Sequence, residues 1–484
     1  MRIIGKAGTS ARKVQAVASG ALSTGDTVIV NADGTVSVIV ETVVTQAVGT
    51  PAVFESAQVD HPYVTYDASS QKIVIAYSDA GNSSYGTAVV GTVSDTSISF
   101  GTPVVFESAN ITNISSTCDV NAGKVVIFYS DVGNNGYGTA VVGTVSGTSI
   151  SFGSPVVFEI AGTTNISATY EANAQKVVVS YRDGGNSNYG TAIVGTVSGT
   201  TISFGSPVVF ESALSASMSA VFDASSGKVV ISYLDFGNGS YGTSTVGTVS
   251  GTSISFGTPV VFESASTEYI SAAYDTANQK VVIAYHDNGN SSYGTSIVGT
   301  VSGTSISFGS PVVFESADSR YISATYDATA QKVVVGYSDF GNLEHGTVIV
   351  GSVTGNSITF ESPVVFESAG SYNVTAVYDV AAQRAVIAYK DLGNLQYGTS
   401  VVFRNAYTST TLTSENFIGI STGGYADTQA ATINAKGFVD DNQSGLTAGQ
   451  SYYVQTDGTL SITAGNPSVF AGTAVSANKL IVKG

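Results

Sequence analysis

Acidic side chains recur along the chain at a fixed step of 52 residues, and they are the first candidates for chemistry. Paired carboxylates can act as general acid and base, but an active site brings unlike groups together once instead of repeating one group seven times. The repetition therefore predicts turn and rim residues. The aspartates, each opening an Asp-x-Gly-Asn phrase, are Asp79, Asp131, Asp183, Asp235, Asp287, Asp339 and Asp391. The glutamates are Glu55, Glu107, Glu159, Glu211, Glu263, Glu315 and Glu367.

Other groups that could do chemistry are few. His61, His286 and His345 fall in different repeats and have no metal-ligand spacing. One carboxylate per turn is too few for a calcium site. Cys118, the single cysteine, occupies a position that is aromatic in the other repeats, so a buried apolar role is expected. With no nucleophile elbow, P-loop or dinucleotide motif in a suitable context, we predict no catalytic residue, no metal and no cofactor.

The residues that depart from the repeat are more informative. They collect in the link that leads to each first strand and in the Asp-x-Gly-Asn turn, two connections expected on one face of the molecule. Aromatic rings stack on the apolar faces of sugars while polar neighbours bond the hydroxyls. Drift of exposed loops is the alternative explanation. The candidate binding residues are His61, Tyr63, Tyr269, Arg320, Tyr321, Phe340, His345 and Tyr372.

The elements that carry these residues are read from a second repeated phrase, Pro-Val-Val-Phe-Glu-Ser, which keeps the same step through seven copies without insertion or deletion. Fixed self-similarity at this period indicates a repeat architecture. Each copy divides into four predicted strands. A proline interrupts the fourth, which places that strand at a sheet edge. In the sixth copy the strands are predicted at 321–326, 332–337, 347–353 and 357–367.

The ends of the repeat body predict a closed ring. The seventh copy stops after its third strand, near Phe403, whereas an unmatched fourth strand precedes the first copy at 43–55. Joining them would complete the last blade and remove open sheet edges. We therefore predict an all-β protein with a seven-bladed β-propeller of four-stranded blades, closed by an N-terminal strand. A straight β-solenoid is the alternative, and it has no use for such complementary fragments.

The regions outside the repeats resemble each other. The phrase at 22–35 returns without gaps at 446–459, and each has an Asp-Gly pair between apolar runs, which is typical of a tight β-hairpin. We predict one small β-barrel or sandwich module, split by the propeller. The expected divisions are residues 1–40, 41–404 and 405–484.

Composition limits the function. Lys and Arg number 18 against 35 Asp and Glu, for a net charge of −17, so nucleic-acid binding is not expected. No run is long enough for a transmembrane helix, and no apolar segment follows the basic residues of the start. We therefore expect neither membrane insertion nor a secretory signal.

The C-terminal region resembles the terminal β module of tailed-bacteriophage virion proteins. The resemblance rests on 417–420, 444–454 and 471–482, and with the first 40 residues it covers about 110 residues. It implies a virion structural protein such as a tail fibre or similar appendage, assembled in the host cytoplasm. The module would contact other virion proteins, and a homo-oligomer on the particle is expected. The repeat body matches no named family beyond β-propellers in general.

These observations together predict an adhesion protein whose propeller binds a host-surface glycan or other receptor without converting it. One alternative is a capsid or tail decoration protein with no receptor role. Another is a propeller glycan depolymerase, for which no pair of carboxylates stands out.

Overall fold

The protein is described from a computed structural model over residues 13–483, and the regular secondary structure of these residues consists of β-strands and six short 3-10 turns. Residues 1–12, on which the expectation about a secretory signal rests, and residue 484 lie outside the described residues. Within the described residues, no helix has the length and apolar character needed to cross a membrane. The chain divides into two compact units, residues 46–405 and residues 13–45 with 406–483.

The strands are numbered in chain order. The first five are β1 (Lys13–Val17), β2 (Thr27–Val30), β3 (Val36–Val38), β4 (Glu41–Val44) and β5 (Ala47–Val48). The next eight are β6 (Ala52–Asp67), β7 (Lys72–Asp79), β8 (Tyr85–Ser94), β9 (Ser97–Phe100), β10 (Val104–Asp119), β11 (Lys124–Asp131), β12 (Tyr137–Ser146) and β13 (Ser149–Phe152). They are followed by β14 (Val156–Glu171), β15 (Lys176–Asp183), β16 (Tyr189–Ser198), β17 (Thr201–Phe204), β18 (Val208–Asp223), β19 (Lys228–Asp235), β20 (Tyr241–Ser250) and β21 (Ser253–Phe256).

The same pattern continues with β22 (Val260–Asp275), β23 (Lys280–Asp287), β24 (Tyr293–Ser302), β25 (Ser305–Phe308), β26 (Val312–Asp327), β27 (Lys332–Asp339), β28 (His345–Thr354), β29 (Ser357–Phe360), β30 (Val364–Asp379), β31 (Arg384–Asp391) and β32 (Tyr397–Arg404). The last eight are β33 (Tyr407–Thr410), β34 (Phe417–Ser421), β35 (Ala430–Asn434), β36 (Val439–Asp440), β37 (Ser451–Val454), β38 (Leu460–Ser461), β39 (Val469–Ser476) and β40 (Lys479–Val482). Six of the Asp-x-Gly-Asn turns contain one 3-10 turn, at Ala80–Asn82, Val132–Asn134, Phe236–Asn238, Asn288–Asn290, Phe340–Asn342 and Leu392–Asn394.

Each repeat builds a four-stranded antiparallel blade. In the sixth, the second half of β26 pairs with β27, β27 with β28, and β28 with both β29 and the first residues of β30. Pro363 lies in the break between β29 and β30, at the outer edge, where its missing N–H breaks no ladder. The predicted four-stranded blade with a proline at its edge is confirmed.

The strand pairings return to their starting point, so the ring is closed. Seven blades follow one another, and the last consists of β30, β31, β32 and a strand from the N-terminal side. β32 pairs with β5 through Phe403 and Val48, and with the start of β6 through Gly398 and Glu55. The predicted closure is confirmed, but the closing strand begins at residue 47. Residues 41–44 form β4 instead, which pairs with β33 in the other unit.

The repeated glutamates join neighbouring blades, because each lies on the outer strand of one blade and bonds a tyrosine of the next. In every blade the hydroxyl of a fully buried tyrosine donates to the glutamate carboxylate 22 residues earlier, at 2.9–3.1 Å. A buried phenol needs such an acceptor, because an unpaired buried donor costs about 1–3 kcal/mol. The expectation that these glutamates are rim charges is therefore wrong. The tyrosines are Tyr77, Tyr129, Tyr181, Tyr233, Tyr285, Tyr337 and Tyr389.

These carboxylates predict an unusual dependence of stability on pH. Burial raises the pKa of six of them above the ordinary 4.5, namely Glu55, Glu107, Glu159, Glu211, Glu263 and Glu315. The folded state therefore holds these protons more tightly than the unfolded state, and the free energy of unfolding rises as pH falls through the raised folded pKa values toward 4.5. Calorimetry should show a higher Tm near pH 5 than near pH 7.5. Glu107→Gln should weaken this dependence, and a Tm that falls steadily on acidification would contradict it.

The second unit contains two five-stranded sheets with the same plan. One has the order β1, β35, β34, β2, β3, and the other has the order β36, β40, β39, β37, β38. Equivalent residues pair in the same register: Val28 lies opposite Gly419 in one sheet, as Tyr452 lies opposite Gly472 in the other. A common core of side chains such as Ile29, Phe417, Tyr452 and Leu480 joins the sheets.

The two sheets are tandem copies of one motif, and the propeller interrupts the first copy. Between β38 and β39 the second copy has only the short loop 462–468. At the equivalent point, between β3 and β34, the first copy contains the propeller, flanked by the paired strands β4 and β33. The repeated hairpin phrase thus reflects a duplicated motif, a finer arrangement than the single split module that was predicted.

Candidate functional site

Seven long strands carry the variable residues across one face of the ring. Each, such as β26, starts as the outer edge of one blade and ends as the first strand of the next, with a register shift between Arg320 and Ser323. The variable links predicted as loops are therefore parts of continuous strands. At each shift one non-glycine residue takes left-handed backbone angles, with φ from 47° to 52°. These residues are His61, Asn113, Asn165, Ser217, Tyr269, Tyr321 and Asn373.

Six of these seven residues, all except Ser217, line a cavity at the centre of the ring. It has a volume of about 280 Å³, and all seven long strands contribute to its wall. Serine hydroxyls tie neighbouring first strands together beneath it; the Ser271 Oγ, for example, accepts from the Ala324 N–H at 2.9 Å. The cavity floor is therefore held by hydrogen bonds between blades.

Aromatic side chains gather on one side of this cavity. The Tyr269 and Tyr321 rings lie 5.1 Å apart, and the Tyr321 and Tyr372 rings 5.0 Å apart. Phe340 stacks on Tyr372 at 6.0 Å with an angle of 22° between the rings. We call these four residues the aromatic arc. All four are partly exposed, so the arc presents ring surface to solvent.

An ion pair between Arg320 and Asp318 lies beside the arc. The Arg320 guanidinium lies 4.4 Å from the centre of the Phe340 ring and donates to both carboxylate oxygens of Asp318, at 2.7–3.1 Å. The hydrogen bonds that Arg320 donates to Asp318 raise the pKa of Arg320. Buried His286 contacts the same group: its Nδ1 lies 2.9 Å from the Ser319 carbonyl oxygen and 3.5 Å from Asp318.

A second carboxylate, that of Glu344, holds one ring of the arc in position. The Tyr372 hydroxyl donates to the Glu344 carboxylate at 3.0 Å. Burial raises the pKa of the tyrosines Tyr269, Tyr321 and Tyr372 above the ordinary 10, so their hydroxyls stay protonated at neutral pH. The hydroxyls of Tyr269 and Tyr321 can therefore both donate and accept hydrogen bonds to a ligand, whereas the Tyr372 hydroxyl, which donates to Glu344, can accept.

Of the eight predicted binding residues, the structure brings five together: Tyr269, Arg320, Tyr321, Phe340 and Tyr372. Sequence reasoning had not selected Asp318, His286 and Glu344 as site residues. Asp318 and Glu344 lie in the variable segments, and His286 stands at a position that also varies, with Arg182, Leu234 and Lys390 in other repeats, so comparison of the repeats position by position could have found all three.

The other three predicted residues, His61, Tyr63 and His345, lie outside the aromatic arc. His61 and Tyr63 line the same cavity, in the part contributed by the first repeat. The His61 ring is exposed, but the surrounding wall displaces enough water to lower its pKa below the ordinary 6.5. His345 begins β28 opposite Asp339, and among the contacts between described residues none joins its side chain to the arc.

The repeated aspartates have a local role. Asp339, for example, accepts hydrogen bonds from the Gly341 and Asn342 N–H groups and so caps the 3-10 turn that carries Phe340. Among residues 13–483 there is no group of three or more His, Cys, Asp or Glu side chains arranged to hold a metal. Cys118 is buried, and burial raises its pKa to about 12, so the thiol is not activated.

A larger cleft of about 460 Å³ lies in the split module, but its acidic groups are already bonded. The Asp26 carboxylate accepts from the Ser23 N–H at 2.7 Å, and Asp457 accepts from both the N–H and the hydroxyl of Thr459. These bonds close turns, so the cleft offers less chemistry than the arc.

The propeller fold is shared with solved structures. The BP39L lectin from Burkholderia pseudomallei matches with a TM-score of 0.50 and 11% identity, over 76% of this chain and 99% of the lectin. The SapL1 lectin, solved with alpha methyl fucoside, matches at 0.39 and 13%, over 61% and 94%. The Cps50 (Swd1) β-propeller domain of Myceliophteria thermophila matches at 0.47 and 11%, over 73% and 98%. Likeness at this level of identity shows the fold alone. The chain matches no protein family and no curated protein.

Proposed function

We propose that the protein binds a carbohydrate at the aromatic arc without converting it. One observation carries this proposal: Tyr269 and Tyr321 hold left-handed backbone angles at the mouth of the cavity. That conformation costs on the order of 1 kcal/mol for a residue with a bulky side chain, and strain of this kind concentrates at functional sites. The repeats offer a cheaper solution at the same position, because Asn113 and Asn165 occupy it elsewhere in the ring.

The chemistry of the arc suits a sugar. Partly exposed rings can cover the apolar C–H face of a pyranose, and tyrosine hydroxyls, Asn373 and His61 surround the same space with donors and acceptors. Two of the solved structures of similar fold are lectins by name, which supports the proposal only through the fold. Arg320 donates hydrogen bonds to the Asp318 carboxylate, and the Tyr372 hydroxyl donates one to the Glu344 carboxylate. Both carboxylates are therefore already hydrogen-bonded within the protein. These bonds favour binding over hydrolysis.

The setting that we propose is a virus particle. The resemblance of the split module to the terminal module of tailed-phage virion proteins supports anchoring to other virion proteins and display of several copies. Many copies would raise the avidity of a weak single site. In a decoration protein, the second candidate, the ring would only cover the particle surface. The turns between the third and fourth strands are nearly identical in the repeats that contain them. This uniformity favours a covering role for that part of the ring.

The experiment that tests the proposal is a glycan array probed with the full chain and with Tyr321→Asn. Asparagine takes the same backbone angles at Asn113, Asn165 and Asn373, so the variant should keep its fold and its Tm within a few degrees. Loss of the ring surface should weaken binding at least tenfold, or about 1.4 kcal/mol.

Ser217→Asn, at the same left-handed position in the fourth repeat, is the matched control and should bind like the parent. Equal binding by Tyr321→Asn, or no binding of the parent to any glycan, would reject the arc as a lectin site. Release of oligosaccharides from a bound glycan would show an enzyme instead. The setting is tested by whether the protein is found in purified particles.

A further inference from the structure

The number of binding sites follows from the differences among the repeats. The aromatic arc draws its residues from the long strands β22, β26 and β30 and from one turn. The corresponding left-handed positions in three other repeats hold Asn113, Asn165 and Ser217. The two asparagine side chains serve the ring itself: the Asn113 Oδ1 accepts from the Asn165 N–H at 3.1 Å, and the Asn165 Oδ1 accepts from the Ser217 N–H at 2.9 Å. Seven similar repeats therefore carry one site.

The shape of the cavity determines how a chain of sugars can enter. Residues from all seven long strands line the cavity, so protein surrounds it around the whole circumference of the ring. An internal stretch of polysaccharide needs a groove that is open at both ends. A volume of about 280 Å³ is at the low end of ligand pockets, which suits one or two sugar residues.

Free polar groups stand next to the arc. Asn373 and His61 follow Tyr321 around the ring, and both line the cavity. Among the described residues, neither side chain has a hydrogen-bond partner, unlike Asn113 and Asn165. An amide and an imidazole with unused donors and acceptors can bond the hydroxyls of a sugar whose apolar face lies on Tyr321.

The charges around the cavity disfavour an anion. Arg320 is neutralised by two-pronged bonding to Asp318, and Lys390 is paired with Asp60 at 2.7 Å. Arg182 lies opposite Thr164 in the third repeat, outside the arc. Glu344 adds a carboxylate at the arc, and the net charge of −17 repels acidic polymers at longer range.

We propose that the ring has a single, end-on site for the terminal one or two residues of an uncharged glycan, stacked on Tyr321 and Tyr269 and bonded by Asn373 and His61. This inference rests on the proposed carbohydrate binding and specifies its ligand class, its geometry and its number.

The test is calorimetric titration of the full chain with three sets of probes. They are methyl glycosides of glucose, galactose, mannose, fucose and N-acetylglucosamine, neutral oligosaccharides of two to six residues, and acidic sugars such as glucuronic acid, sialic acid and sulfated galactose. We expect one ligand per chain, an affinity that stops rising after two residues, and binding of acidic probes at least about tenfold weaker.

Variants separate the contributions. Asn373→Ala and His61→Ala should each weaken binding of the best neutral probe about fivefold to tenfold, while Ser217→Asn and Arg182→Ala leave it unchanged. Asp318→Asn frees Arg320 and should improve binding of the acidic probes. Several ligands per chain, affinity that rises through six residues, or preference for acidic probes would overturn this inference and leave carbohydrate binding standing. Binding to no probe of any set, together with a blank glycan array, would overturn both.

Discussion

Replacing residues 47–55 with a flexible Gly-Ser linker of equal length is expected to open the ring and make the protein aggregate. The replacement removes the outer strand of the last blade, which pairs with β32. It also removes Phe54, which is 5% exposed and packs against Tyr77 and Phe100 at 5.3 and 5.9 Å. Truncation of such a phenylalanine alone costs about 3–5 kcal/mol, and the freed edge of β32 becomes a template for pairing with other chains.

The size of the effect is measured by the Tm and by light scattering. We expect the thermal transition to fall by 10 °C or more, since the lost strand adds several hydrogen bonds to the lost packing. A peptide with the sequence of residues 46–56 should restore the Tm and the monomer by adding a strand in trans, and a scrambled peptide should not. A monomer of unchanged heat stability without the strand would refute the closure.

Removing the whole propeller should, by contrast, leave the split module folded. The Thr411 N–H donates to the Val40 carbonyl oxygen at 3.0 Å, and the Val40 N–H donates to the Thr411 hydroxyl at 2.9 Å. The two chain positions are thus neighbours across a strand pair, and an Asn-Gly turn can join them. Residues 1–40 and 411–484 then retain the core side chains Ile39 and Leu412.

This spliced chain should show cooperative thermal unfolding and a well-dispersed amide spectrum. The reason is that the second copy of the motif already folds with a short loop at the equivalent point. Ile39→Asp, which buries a charge in the shared core, is the matched control and should abolish the transition. A molten spliced chain would show that the first copy depends on the propeller for its structure.

The repeat made most of the fold predictable from sequence. The step of 52 residues, the proline at one strand edge and the unmatched strand before the first repeat together predict the closed ring. The start of the closing strand was misplaced because residues 43 and 44 continue the same apolar alternation, although they belong to β4 and pair with β33. Pattern alone does not show which partner an apolar strand will choose.

The candidate site was predictable only in part. Departure from the repeat identified Tyr269, Tyr321 and Tyr372, but their ring contacts join residues about 52 positions apart and depend on the spacing of adjacent blades. The Tyr–Glu pairs were available in the sequence as a constant separation of 22 residues between the glutamate of one repeat and a tyrosine of the next. No feature of the sequence indicated the left-handed backbone at Tyr321, since bulky residues such as tyrosine rarely adopt a positive φ.

The closing strand has a consequence for how the gene can change. Seven similar repeats in tandem invite recombination out of register, which deletes or adds whole repeats. Because Ala47–Glu55 lies before the first repeat and β32 ends the last, the two complementary ends persist after any such event. A lineage could thus lose or gain a blade and keep the strand pairing that closes the ring. The blades that carry the arc could be duplicated or deleted as whole units.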